Sequence, residues 1–183
     1  MNIGVDVDGV LTRLVEFVRA RTGLEKFEDY YGFVQSFVGN GSNKDFWAGS
    51  IWDYTKLPPI DGAVKNLKKL RQDGHKIIIN TNRWFYERED ELGNKMREAV
   101  HKWFDKYEVP YDEFVFAKGD KAKVVKEYKL DIHIDDAPHE IQVVRPHIPV
   151  IVFDADYNKE FAGENIIRVK NWDEIYRVIS SWG

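Results

Sequence analysis

The first dozen residues carry an apolar run, Ile3-Gly4-Val5, into two carboxylates two positions apart, Asp6 and Asp8. Gly9 and a second apolar pair, Val10-Leu11, follow. Side chains on a strand repeat every two residues, so the run reads as a strand that delivers Asp6 and Asp8 to one side, with Gly9 free to turn the chain. Leu11, Leu14, Val15 and Val18 then recur at helical spacing, and Gly23 is a plausible stop. From Phe27 to Tyr54 the periodicity is lost. Tyr30, Tyr31, Phe33, Phe37, Phe46, Trp47, Trp52 and Tyr54 lie among four glycines, which predicts short helices and loops, closed by Leu57-Pro58-Pro59.

Beyond Asp61 the rhythm becomes regular. Asp61 is placed to cap a helix with Val64, Leu67 and Leu70 as its apolar stripe and Gly74 as its stop. Lys76 to Thr81 is a continuous apolar strand of the kind buried on both faces. A long amphipathic helix follows, with Leu92, Met96, Val100, Trp103, Phe104 and Tyr107 on one face, ended by Pro110. The remaining strands fall at Phe114-Val115-Phe116, Ile132-His133-Ile134, Val150 to Phe153 and Ile166 to Val169. They alternate with helices from Asp120 to about Tyr128, from Pro138 onward, and from Trp172 to Trp182. Strands and helices alternating at this spacing build right-handed βαβ units. The fold class is therefore α/β: a Rossmann-like parallel sheet with helices on both faces, and a small, mostly helical cap inserted after the first strand. Residues 1–12 and 58–183 form the core domain and 13–57 the insertion.

Composition narrows the function classes. The net charge of −4 over 183 residues gives no basic surface for nucleic acid or an acidic membrane. Cysteine is absent, which removes disulfides, thiol catalysis and cysteine metal sites. No leader-like or membrane-spanning apolar run opens the chain, so a cytoplasmic location is expected.

In open α/β sheets ligands bind outside the carboxyl ends of the strands. The first strand delivers Asp6 and Asp8 there. The second delivers Thr81, Asn82 and Arg83. The third leads to Lys118, Gly119, Asp120 and Lys121, and the fourth to Asp135 and Asp136. Two carboxylate pairs, a hydroxyl and a lysine on one edge suit Mg²⁺ through hard oxygen ligands and phosphate through hydroxyl, ammonium and backbone amides. Lys118 and Lys121 compete for the lysine role; Lys121, opening a helix after Gly119-Asp120, is the better placed. The five histidines show no metal spacing, and Asp154 and Asp156 read as loop caps.

Asp6-Val7-Asp8-Gly9-Val10, Thr81, Lys121 and Asp135-Asp136 resemble, in order and strand placement, the four motifs of the haloacid dehalogenase-like (HAD) phosphohydrolase superfamily. Within it, Leu57 to Ala63 and Ile134 to His139 look like the 5'(3')-deoxyribonucleotidase-like branch. The resemblance implies an enzyme that hydrolyses a small phosphomonoester, with a nucleoside monophosphate as the leading substrate, through an aspartyl-phosphate intermediate. It implies Asp6 as nucleophile, Asp8 as general acid and then base, Thr81 as a donor to the phosphoryl group and Lys121 as its charge partner. Asp6, the Asp8 carbonyl and one or both of Asp135 and Asp136 would hold Mg²⁺. Asn82 and Arg83 are candidate substrate contacts, as are Phe46 and Trp47 of the cap, where a ring could stack on a base. The partner is then a small phosphorylated metabolite. The alternatives are a phosphatase of sugar phosphates or other small metabolites, since Thr81-Asn82-Arg83 also looks like that class, and a non-catalytic regulatory module, which the intact motifs disfavour.

Overall fold

The structure, a computed structural model, describes residues 1–23, 25–26, 55–83 and 85–182. Its strands are β1 (Asn2–Val5), β2 (Lys76–Thr81), β3 (Glu113–Phe116), β4 (Ile132–Asp135), β5 (Val150–Phe153) and β6 (Ile166–Val169). The helices among the described residues are α1 (Leu14–Thr22), α2 (Ala63–Gln72), α3 (Glu91–Lys106), α4 (Lys121–Glu127), α5 (Pro138–Val144) and α6 (Trp172–Ser180). None is long and apolar enough to cross a membrane. The sheet is parallel throughout, in the order β3-β2-β1-β4-β5-β6. The chain thus starts in the middle, builds outward to β3 and returns to the other side of β1 at β4. That reversal opens a crevice at the carboxyl ends of β1 and β4, where such sheets bind ligands.

The predicted strands form because their apolar residues serve two cores at once. Along β2, Ile77 and Ile79 join the larger cluster while Ile78 faces the smaller; along β5, Ile151 joins the first and Val150 and Val152 the second. This alternation is the two-residue period of a pleated strand buried on both sides. The larger core takes Leu14 and Val18 of α1, Leu67 and Leu70 of α2, Met96 and Phe104 of α3, and Trp172 and Ile175 of α6. The smaller takes Val125 of α4 with Ile141 and Val144 of α5. Helices therefore cover both faces, as the alternation of elements required. One strand glycine has a packing cause: a Cβ at Gly4 would stand 2.5 Å from Nδ1 of His133 on β4, so only glycine admits that ring beside β1.

One predicted cap is corrected. Asp61 does not cap α2; Gly62, with φ 81°, holds that position, and the Asp61 carboxylate instead accepts from Arg13 at 2.6 Å. Asp90, Asp120 and Asn171 do cap, each accepting from a backbone N–H three residues on. The aromatic stretch 27–54 lies outside the described residues. Its flanks meet: Thr12 bridges to Pro59, and Ile60 N–H donates to Leu11 O at 2.8 Å.

Candidate active site

β1 ends with Asp6 N–H donating to Ile134 O at 3.0 Å, which keeps the first carboxylate abreast of β4. Val7 O then accepts from both Leu11 and Thr12 N–H at 2.9 Å, closing a tight turn. Gly9 sits in that turn at φ 85°, and a Cβ there would fall 2.1 Å from Asp136 Oδ2. Backbone conformation and lack of room both demand glycine.

Lys121 lies at the centre of the site. It is buried, and its Nζ donates at 2.7 Å to Asp6 Oδ1 and at 2.7 Å to Asp135 Oδ2. Burial alone would favour the neutral amine; the carboxylates of Asp135, Asp6 and Glu140 overcome it and hold the lysine charged. Asp135 is held by three contacts. Its Oδ2 also meets His133 Nε2 at 3.0 Å, and its Oδ1 accepts from Ala137 N–H at 3.0 Å. Burial opposes its ionised form, but Lys121 and His133 push its pKa below the usual carboxylate range. Asp6 goes the other way. Burial, with Asp135 and Asp8 nearby, outweighs Lys121 and raises it to about 7.

Asp136 is fully buried and held from one side only. Tyr157 O–H donates to its Oδ2, Asn158 Nδ2 donates to its backbone oxygen at 2.8 Å, and its Oδ1 has no hydrogen-bond partner among the described residues. Burial and the charges of Asp6 and Asp135 raise its pKa well above normal. One carboxylate oxygen from each of Asp6, Asp135 and Asp136 lies within 4.8 Å of the others. Buried oxygen donors that close, one of them bare, fit a hard divalent cation.

Asp8 points into a different environment. Arg83, itself buried, holds it with two N–H groups, Nε reaching Oδ2 at 3.0 Å, and Thr12 donates to Oδ1 at 3.2 Å. Thr81 is buried at the end of β2, and its Oγ1 has no hydrogen-bond partner among the described residues. Asn82 is occupied: its amide donates to Glu140 Oε1 at 2.7 Å and its carbonyl oxygen accepts from Gly119 N–H at 2.8 Å. Lys118 stands exposed on the surface near Glu87, so Lys121 is the lysine within the site. Phe46 and Trp47 lie outside the described residues.

Sequence reasoning missed three groups here. His133 was readable, because it precedes Asp135 by two positions on one strand and so shares its face. Tyr157 and Asn158 carry no such mark. They follow β5, and only the strand order brings that loop against Asp136. Asp154 and Asp156, read from sequence as loop caps, form side-chain ion pairs instead: Asp154 accepts from Lys159 and Arg168, and Asp156 from Arg19.

The fold is similar to the crystal structure of a HAD-superfamily hydrolase from Geobacter sulfurreducens, with a TM-score of 0.55 and 13% identity over 97% of this chain and 98% of that one. With the motif residues gathered on one edge of such a sheet, the class is that of HAD-like phosphomonoester hydrolases. Sequence sets the family within the class. Residues 1–181 match the family described as 5' nucleotidase, deoxy (pyrimidine), cytosolic type C, and the chain belongs to it. It is 25% identical to a provisionally named nucleotidase of Bacillus subtilis, over 95% of this chain and 91% of that protein. It is 26% identical to a provisionally named 5'(3')-deoxyribonucleotidase of Chlorobaculum tepidum, over 98% and 90%.

Proposed function

We propose that this chain is a Mg²⁺-dependent, cytoplasmic 5'-nucleotidase that takes deoxynucleoside and nucleoside monophosphates rather than nucleic acid. The observation that carries the reading is the buried triad of Asp6, Asp135 and Asp136 around Lys121, with one bare carboxylate oxygen on Asp136 and a bare hydroxyl on Thr81. Those unpaired groups match what a cation and a phosphoryl oxygen would satisfy. The acidic balance of the chain argues against a polyanionic substrate.

Asp6 attacks phosphorus through its ionised carboxylate and becomes the phosphorylated residue. Lys121, bridging Asp6 and Asp135, offsets charge on the nucleophile and the transferring group. Thr81 Oγ1 donates to a phosphoryl oxygen. Asp8 gives a proton to the leaving 5'-oxygen and then takes one from the attacking water. Asp6, Asp136 and the Asp8 carbonyl would hold the cation, while Asp135, bound to Lys121, His133 and Ala137 N–H, fixes the lysine. When bound, Mg²⁺ shields the anionic nucleophile from the anionic phosphate. The insertion 13–57, whose flanks meet at the Thr12–Pro59 bridge, serves as the cap apart from α1, whose Leu14 and Val18 pack into the larger core.

The test is kcat/KM with Mg²⁺ over a panel of 5'- and 3'-nucleoside monophosphates, their deoxy forms and sugar phosphates. A preference for nucleotides, lost on chelation, is the expected result. Equal or better turnover of sugar phosphates would refute the nucleotidase assignment and leave the phosphatase standing.

A further inference from the structure

We infer that Tyr157 is a positioning residue for the metal ligand Asp136, setting which of its carboxylate oxygens is offered to the cation and how firmly. The inference rests on the metal reading above and concerns residues of the turn after β5, outside the four motifs. Three contacts converge on Asp136. Tyr157 O–H occupies Oδ2, Asn158 Nδ2 fixes the main-chain oxygen at 2.8 Å, and Gly9 leaves room for Oδ2 where any Cβ would stand 2.1 Å away. The result is an asymmetric carboxylate, with one oxygen held by a neutral donor and the other bare in a buried site.

An unsatisfied buried acceptor is unfavourable and would rotate toward any available donor. Here the phenol prevents that rotation. The ring is itself buried in the larger core, packed as part of the short turn Asp156–Asn158. That turn is pinned in turn by Arg168, which donates to Asn158 Oδ1 at 2.8 Å and to its backbone oxygen at 2.6 Å. A neutral hydroxyl orients Asp136 without neutralising it, as a second cation beside Lys121 would. Mg²⁺ demands near-ideal octahedral geometry, whereas Ca²⁺ accepts irregular oxygen sets. A device that fixes carboxylate orientation therefore matters more for Mg²⁺ than for Ca²⁺.

The experiment uses the full chain stripped with EDTA and titrated with MgCl₂ or CaCl₂, reading the metal-dependent rise in Tm and binding heat by calorimetry. Tyr157→Phe, which removes one oxygen and keeps the ring, raises the Kd for Mg²⁺ by roughly 10- to 100-fold and that for Ca²⁺ by clearly less. Asp156→Asn breaks the adjacent Arg19 ion pair without touching Asp136 and leaves the Mg²⁺ Kd within about two-fold. The inference is overturned if Tyr157→Phe binds Mg²⁺ as wild type does, if both cations weaken alike, or if Asp156→Asn weakens binding as much. Absence of Mg²⁺ binding by wild type is a separate outcome: it removes the metal reading itself.

Discussion

Replacing Asp6 by asparagine should abolish turnover and, in metal-free protein, strengthen the fold. Asp6 is buried beside Asp135 and Asp8, and even with Lys121 at 2.7 Å its pKa rises from 3.8 to about 7. Ten-fold in proton affinity is about 1.36 kcal/mol, so ionising this carboxyl in the folded state costs about 4 kcal/mol more than in the unfolded chain. The sign follows from which state binds the proton. Between pH 4 and 7 the folded protein keeps a proton that the unfolded chain has released, so stability falls as pH rises through that window and the full cost is present above about pH 7. Asparagine keeps an oxygen for Lys121 and carries no charge to desolvate. The gain of Asp6→Asn over wild type should therefore be near zero at pH 4 and grow to as much as about 4 kcal/mol at pH 8 in EDTA.

Urea denaturation at the two pH values, with EDTA and with Mg²⁺, measures this directly. Saturating Mg²⁺ should erase the advantage, because the cation offsets in wild type the same repulsion that the substitution removes. A variant no more stable than wild type at pH 8 in EDTA would mean that Lys121 already balances Asp6. The account of the triad as a site short of positive charge would then be wrong.

Other substitutions separate the remaining roles. Lys121→Met strands Asp6 and Asp135 in the interior; it should cost about 3–5 kcal/mol in EDTA, with part recovered on adding Mg²⁺, and full stability in EDTA would contradict the pairing. Thr81→Val removes a hydroxyl that nothing in the described fold uses, so Tm should hold or rise while kcat/KM falls by roughly 100- to 1,000-fold, measured side by side. Arg83→Gln removes the two-point hold on Asp8. Turnover of a nucleoside monophosphate, whose alkoxide needs a proton, should then drop far more than that of an aryl phosphate with an acidic phenol. Equal losses on both substrates would show that Arg83 acts on something other than proton transfer.

The sequence reading succeeded where one rule decided the outcome. β2 reads as a doubly buried strand because Ile77, Ile78 and Ile79 leave no polar face, and the cores on either side use all three. Asp6, Thr81, Lys121 and Asp135 could be assembled because each stands at or beyond the carboxyl end of a parallel strand, and such ends share one edge of the sheet. It failed where adjacency is set by strand order or by competition among side chains. Nothing local distinguishes Asp61 from a helix cap; Arg13, distant in sequence, takes its carboxylate. Arg83 reads in the sequence as a substrate contact; its burial against Asp8 is fixed by the turn that follows β1. Tyr157 reaches the site only because β5 lies next to β4, which the spacing of strands does not state.

The charge in the site has a further consequence. Asp6, Asp8, Asp135 and Asp136 are all buried, and Lys121 and Arg83 are the buried cations that meet them among the described residues. Four carboxylates against two cations leave two negative charges without an internal partner, and Glu140, accepting from Asn82, adds acid at the margin. The fold places the deficit on particular residues. Arg83 serves Asp8 and Lys121 serves Asp135, so the excess falls on Asp6 and Asp136, whose pKa values are raised. Without metal, burial and mutual repulsion favour the protonated forms of both, that of Asp6 below about pH 7; a divalent cation supplies the same positive charge and competes with those protons. Mg²⁺ binding should accordingly release protons at pH 6 and weaken as pH falls below 7, a linkage that calorimetry in buffers of differing ionisation enthalpy reads directly. Binding without proton release at pH 6 would place the cation away from Asp6 and Asp136.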